Sequence, residues 1–181
     1  MNSRTLPTLE TERLKLRPYS EADIAELLPL IGTREVAATT LRIAHPYTDQ
    51  DAKAFLALAQ EPEKIWLAIT LRSDGCQIGG IGLRCDSQHQ HAELGYWLGA
   101  AYWGKGYATE AARGMLRYGF EDLHLHRVFA SHFKQNLASG HILKKLGMRH
   151  EGCQREHLLK WDQFVDSELY GILRQEWEGK E

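Results

Sequence analysis

The residues best placed to do chemistry lie in Trp103-Gly104-Lys105-Gly106-Tyr107-Ala108, a turn between an apolar strand pattern and a helical one. Such a turn aims consecutive backbone N–H groups at one spot, where the positive end of the helix dipole also favours anions. Gly104 and Gly106 lack Cβ atoms, so they can take unusual backbone angles and admit a phosphate to the main chain, while small Ala108 keeps the first helical turn open. The chemistry indicated is diphosphate binding. Three other readings compete. Gly99-Ala100-Ala101-Tyr102-Trp103-Gly104-Lys105 matches the first part of a nucleotide P-loop, but Gly106 stands where that loop needs Ser or Thr to hold magnesium. A dinucleotide fingerprint needs a third small residue where Thr109 stands. The third reading is that the glycines only shape a tight connection.

Other reactive side chains are scattered. Glu93 lies on the strand pattern that runs into the turn, on the same side as Gly95 and Trp97 by alternation. A carboxylate there reads either as a general base or as a solvated strand residue. His89 with His91, and His124 with His126, put alternate histidines on one strand face, yet neither pair brings a third ligand, so no metal site is expected. Cys76, Cys85 and Cys153 are odd in number and lack CxxC spacing, which reads as ordinary thiols in a reducing compartment. Trp66, Trp97, Trp103, Trp161 and Trp177 are too dispersed for a base-stacking platform.

The elements that must position these residues follow from periodicity. Glu12–Arg17 alternates as a strand ended by Pro18, and Ser20 with Asp23 caps a helix whose stripe is Ile24, Leu27, Leu28 and Ile31. Weakly patterned residues 33–47 read as a flexible region before a second helix, capped by Thr48 and carrying Ala52, Phe55, Leu56 and Ala59. Strands over 65–71 and 78–85 flank the hairpin signal Ser73-Asp74-Gly75. A strand over 92–98 is followed by helical spacing over 102–120, then a strand over 126–133 and a helix from Asn136 to Leu146 with Gly147 as its C-cap. Strand-like alternation closes the chain. The order β-α-α-β-β-β-α-β-α-β-β implies an α/β (α+β) fold with one mixed sheet and helices on both faces.

At 181 residues the chain suits one domain spanning 1–181, and 43% hydrophobic with 25% charged residues is ordinary globular composition. A net charge of -2 from 22 basic and 24 acidic residues offers no basic field for nucleic acid. Neither the start, Met1 to Pro7, nor any later segment has the apolar run of a leader or membrane span. A cytoplasmic protein without membrane partners is expected.

Three blocks resemble the GNAT superfamily of acetyltransferases, most closely its ribosomal-protein N-terminal acetyltransferase branch, the RimJ/RimL type. They are Ala92-Glu93-Leu94-Gly95-Tyr96-Trp97-Leu98 running through Tyr102 to Ala111; Asn136-Leu137-Ala138-Ser139 with Lys145-Leu146-Gly147-Met148; and Thr11-Glu12-Arg13-Leu14-Lys15-Leu16-Arg17-Pro18. The resemblance implies a mostly antiparallel sheet of six to seven strands and acetyl-CoA as co-substrate without metal. It also implies transfer of the acetyl group to an amine in a ternary complex. In the family the diphosphate turn reads Gln or Arg, two residues, Gly, any residue, Gly or Ala; Gly106 and Ala108 fit, and Trp103 replaces the first residue.

Carried over residue by residue, Trp97, Leu98 and Gly99 hydrogen-bond the pantetheine arm, and the backbone of Gly104, Lys105, Gly106, Tyr107, Ala108 and Thr109, with Trp103 before it, holds the diphosphate. Asn136 contacts the arm while capping its helix. Glu93 resembles the strand glutamate that serves as base. The family's tyrosine acid, seven residues after the asparagine, is replaced by Leu143, which leaves Ser139 as the group to meet the thiol sulfur. Ser139 also reads as a small helix residue chosen for packing. The acceptor implied is a protein N-terminal amine, with polyamines, other small amines and antibiotics as alternatives. A CoA-binding module without turnover is the second class of function. The implied protein is a monomer or homodimer whose acceptor pocket draws on 33–47, the second helix and 156–166.

Overall fold

A computed structural model describes residues 6–178; the first five residues, part of the stretch read for a leader, lie outside the described residues. Among the described residues eight strands form one sheet in the order β1-β2-β3-β4-β5-β6-β8-β7. They are β1 (Leu9–Glu10), β2 (Leu14–Pro18), β3 (Lys64–Leu71), β4 (Gln77–Asp86), β5 (His91–Leu98), β6 (Arg127–Phe133), β7 (Arg149–Lys160) and β8 (Gln163–Leu173). The helices are α1 (Ile24–Ile31), α2 (Arg34–Ala38), α3 (Asp49–Leu58), α4 (Tyr107–Arg117), α5 (Leu137–Lys145) and α6 (Arg174–Glu178).

The expected six to seven strands become eight because β1, two residues long, pairs Leu9 with Leu16 and Glu10 with Lys15 at the edge of β2. Two residues show no period, so no pattern could announce them. The region read as flexible contains α2, where Thr33 Oγ1 accepts from Val36 N at 3.4 Å and Val36 and Ala37 are fully buried. The long helical spacing from residue 102 begins as a helix only at Tyr107, because Gly104 and Gly106 have φ of +74° and +82°. A right-handed helix cannot pass through those angles.

Alternation sorts the sheet into two faces. Leu14, Leu16, Ile65, Leu67, Ile69, Ile81, Leu83, Ala92 and Leu94 face one side and bury Ala111, Ala112, Met115 and Leu116 of α4 with Leu143 of α5. Each large side chain there contributes about 1.5–3 kcal/mol by leaving water, so Leu116→Ala costs about 2–5 kcal/mol. On the other face α1, α2 and α3 gather Leu27, Ile31, Val36 and Ala52, with Tyr19, Tyr47 and Trp97 against them. Gly80 and Gly82 make room on that face: a Cβ on Gly80 would lie 2.6 Å from the Trp97 indole nitrogen, and one on Gly82 would lie 2.3 Å from the Trp66 ring.

One junction differs from the rest. Every other neighbouring pair of strands is antiparallel, whereas β5 and β6 run parallel and pair only at His91 with Arg127, Ala92 with Val128 and Glu93 with Phe129. Beyond Glu93 and Phe129 the two strands continue to Leu98 and Phe133 without pairing to each other, each still paired with its outer neighbour. The sheet therefore splays, and the residues read above as chemical cluster round the gap.

Candidate active site

The splay has three walls. β5 leads through a 3-10 turn at Ala100–Tyr102 into the glycine turn and α4, whose N-cap is Gly106. β6 leads to Asn136, the N-cap of α5, whose Oδ1 accepts from Ser139 N at 3.2 Å. The Asn136 Nδ2 donates across the opening to the Thr39 carbonyl just after α2, at 3.4 Å. The capping reading of Asn136 is thus realised, and its amide bridges two walls of the gap.

The glycine turn is held by the block Thr11 to Pro18. Arg13 donates from Nη1 to the Lys105 carbonyl at 3.0 Å and lies over the Tyr107 ring at 4.6 Å. Its backbone N–H and Nε donate to the two carboxylate oxygens of Glu110, each at 2.7 Å, and Thr11 Oγ1 adds a third bond at 2.6 Å. Burial pushes the Glu110 carboxyl up, but the bonds from Thr11 and Arg13 outweigh it and hold the group below its ordinary range. An acid in the first turn of a helix would repel a bound diphosphate; here its charge is matched by Arg13. The first N–H groups of α4 have no partner within their own helix and are available to an anion.

Several main-chain groups at the strand end already have partners. The Leu98 carbonyl accepts from the Trp103 indole at 2.8 Å, Gly99 N–H donates to Ile78 at 2.9 Å, and the Gly99 carbonyl accepts from Tyr102 N at 2.9 Å. Trp103 thus latches the turn to β5, although its ring is 43% exposed. Lys105 reaches over the Tyr102 ring at 5.5 Å, and Ala108 is buried against the core. Trp97 turns its side chain to the α1–α3 face, where it meets Tyr19 and Gly80.

Glu93 and Ser139 lie on opposite sides of the sheet. Glu93 shares its face with Gly95 and Trp97, sits at the last paired position before the splay, and forms an ion pair with Arg84, its direct partner on β4. Ser139, on α5, meets the phenol of Tyr96 with its Oγ at 2.8 Å. Burial pushes the Tyr96 hydroxyl up to about 12, against the bond to Ser139, so the phenol stays protonated at neutral pH. Leu143, one turn further along α5, has no exposed surface and faces the core. It cannot deliver a group to the gap.

Two of the three segments expected to line an acceptor pocket, 33–47 and 156–166, touch each other. Lys160 Nζ donates to the carbonyls of Leu41 at 3.4 Å and Ile43 at 2.9 Å, pinning the tip of the β7–β8 hairpin to the loop after α2. At that tip the Trp161 ring has Lys160 Nζ at 5.0 Å and Arg34 Cζ at 5.4 Å from its centroid. The rings of His89 and His91 stack at 5.9 Å, with His91 Nε2 3.8 Å from Asp86, and among the described residues no group of three or more His, Cys, Asp or Glu could hold a metal.

Periodicity alone did not expose the partnership of Arg13 with Glu110 or of Tyr96 with Ser139. Signals for both existed. A carboxylate beside an anion-binding turn demands a nearby cation. A tyrosine on the core face of a strand demands a partner for its hydroxyl.

Comparison with known proteins places this geometry. Residues 13–149 match the family described as acetyltransferase (GNAT) domain. The chain is 36% identical over 132 residues to the uncharacterized N-acetyltransferase YnaD of Bacillus subtilis, covering 72% of this chain and 77% of that protein. Over 84 residues, 46% of this chain and 43% of the other, it is 34% identical to the ribosomal protein uS5-alanine N-acetyltransferase of Escherichia coli. The crystal structure of a GNAT-family acetyltransferase from Bacillus anthracis matches with a TM-score of 0.85 at 25% identity, covering 93% of this chain and 99% of that one. No described helix is long and apolar enough to cross a membrane. With its splayed β5–β6 junction and glycine turn at the head of α4, the chain belongs to the GNAT family and is an acetyl-CoA-dependent N-acetyltransferase.

Proposed function

We propose that residues 1–181 act as one catalytic domain in the cytoplasm, acetylating the α-amine at a protein or peptide N-terminus by direct attack in a ternary complex. In this reading the main chain from Gly104 to Thr109 holds the diphosphate of acetyl-CoA, and the pantetheine arm enters the gap between β5 and β6 beside Trp97 and Asn136. Leu98 and Gly99, whose groups bond Trp103, Ile78 and Tyr102, shape that entrance.

The amine nitrogen attacks the thioester carbon from the face that carries Glu93. The new C–N bond forms, the C–S bond breaks with its electron pair on sulfur, and the proton lost by nitrogen ends on the thiolate through solvent. Glu93 takes up that proton, directly or through water, after sharing its charge with Arg84. Ser139 donates a hydrogen bond to the departing sulfur. An α-amine has a pKa of about 8, so it offers a neutral nucleophile more readily than a lysine side chain.

The observation that favours a peptide terminus over a polyamine is the cationic rim at Trp161. Arg34 and Lys160 lie 5.4 and 5.0 Å from its ring centroid, beside the loop that Asn136 touches at Thr39. Each additional ammonium group of a polyamine brought near this rim meets repulsion of roughly 1 kcal/mol or more at contact distance. A chain with one ammonium group and neutral or acidic residues behind it does not. The similarity to the uS5-alanine enzyme supports the same choice.

The test is to incubate the protein with acetyl-CoA and three acceptor sets, following free thiol and acceptor mass. These are peptides with free α-amines, the same peptides blocked at the terminus but carrying lysine, and spermidine. Turnover of the free peptides alone is expected. Faster turnover of spermidine than of every peptide overturns the proposal.

A further inference from the structure

Ser139 is fixed from two directions. Its backbone N–H is held by Asn136 Oδ1 at 3.2 Å, which sets the first turn of α5, and its hydroxyl is held by Tyr96 at 2.8 Å. Tyr96 approaches from β5, 43 residues away, just beyond the point where pairing with β6 stops. A hydroxyl rotates freely unless a neighbour dictates its direction, and serine has only one hydrogen to give.

Tyr96 is half-buried against the core, and either hydroxyl of the pair can donate. A protonated phenol packed beside the core gains most by donating to an acceptor within the protein. Ser139 Oγ is the partner in reach. When the phenol donates, the Ser139 oxygen is occupied and its hydrogen is free to point into the gap. The α5 helix carries no phenol of its own at this height, because Leu143 is buried in the core.

We propose that Tyr96 is a positioning residue for acetyl transfer: its phenol donates to Ser139 Oγ and so directs the single Ser139 hydrogen at the sulfur that leaves as thiolate. The inference rests on the assignment of Ser139 to the sulfur. No net proton passes through the pair. As the C–S bond breaks, charge gathers on sulfur and the Ser139 hydrogen bond strengthens, polarised by Tyr96 behind it. The benefit exists only where sulfur carries charge, so it belongs to the transition state and not to binding.

Tyr96→Phe removes the hydroxyl and keeps the ring. Its expected effect is a kcat about tenfold lower with acetyl-CoA, with KM for both substrates within about twofold and thermal stability nearly unchanged. Ser139→Ala falls by a similar factor, and the double variant falls no further than Ser139→Ala alone, as for residues acting as a unit. The readout that packing alone would not move is the leaving group. With an acetyl thioester of an acidic aromatic thiol, whose thiolate needs little stabilisation, Tyr96→Phe and the unaltered protein should turn over at rates within about twofold.

The outcomes separate the two layers of the reading. Unchanged kcat in Ser139→Ala overturns the assignment of Ser139 to the sulfur. Impaired Ser139→Ala beside fully active Tyr96→Phe overturns the positioning role alone. Additive losses in the double variant, or a Tyr96→Phe deficit that persists undiminished with the acidic leaving group, also overturn it.

Discussion

Arg13 and Glu110, 97 residues apart, are joined by two hydrogen bonds of 2.7 Å, one from the Arg13 backbone and one from its side chain. They tie the chain just ahead of β2 to the first turn of α4, and Arg13 continues to the Lys105 carbonyl inside the glycine turn. Losing the carboxylate removes three charge-assisted bonds, leaving the Arg13 N–H to water and the Thr11 hydroxyl to the Leu14 carbonyl at 3.3 Å. Glu110→Ala is expected to cost about 1–3 kcal/mol, a fall in Tm of roughly 2–12 °C at about 2–4 °C per kcal/mol for a chain of this size. CoA binding should weaken several-fold as the turn loosens, measured by calorimetric titration.

The same carboxylate makes a pH prediction. Its pKa in the folded protein is below the unfolded value of about 4.3. A lowered carboxylate contributes stability that is present above the unfolded value and is lost as pH falls through the folded one. As pH falls below the unfolded value and then through the folded one the protein should therefore lose stability, and Glu110→Gln should show a flatter profile over that acid limb. Denaturant titrations at a series of pH values measure both slopes, and equal slopes would remove Glu110 from the account.

How much of this could be read in the chain depends on the range of the interaction. The hairpin of β3 and β4 was legible because Ser73-Asp74-Gly75 is a local signal between two apolar runs, and Gly75 does take a φ of +77°. The glycine turn was legible for the same reason. By contrast, α2 depends on burying Val36 and Ala37 under neighbours distant in sequence, and five residues carry too little period to announce a helix. The expected grouping of Glu93 with Gly95 and Trp97 on one face followed from alternation alone. The meeting of Tyr96 with Ser139 depends on how β5 and α5 pack across the splay, which no spacing encodes.

The two turn glycines should respond differently to a methyl group. Both have positive φ, so alanine at either costs about 1–2 kcal/mol in backbone strain. At Gly104 a Cβ meets nothing within 4 Å, and strain is the whole cost. At Gly106 it approaches Arg13 Nη2 at 3.4 Å and lies at the N-cap of α4. Gly106→Ala is expected to raise the Kd for CoA at least tenfold, and Gly104→Ala by a smaller factor. The reverse ranking would show that the anion contacts centre on Gly104.

Glu93 faces a test of its proposed proton uptake. An N-terminal amine loses its proton at about pH 8 unaided, so a base matters most below that pH. Glu93→Gln should lower kcat/KM by roughly 10- to 100-fold near pH 7, toward the lower end of general-base effects. The deficit should shrink as pH rises past about 8. A deficit constant across pH would assign Glu93 and its partner Arg84 to holding the sheet at the mouth of the splay.

Leu143 offers the converse experiment, in which the family's usual tyrosine is restored. The side chain has no exposed surface and packs in the main core with Met115 and Leu116 of α4. A phenol there must displace neighbours and bury a hydroxyl, at about 1–3 kcal/mol for overpacking before the unpaired polar group is counted. Leu143→Tyr should therefore lower Tm and leave kcat no higher than before. In a Tyr96→Phe background it should likewise fail to restore the rate, since position 143, one turn beyond Ser139 on the same helix face, is enclosed in the core. Recovery of kcat in that double variant would mean that α5 can rotate to present position 143 to the gap, and would transfer the thiolate-facing role from Ser139 to that position.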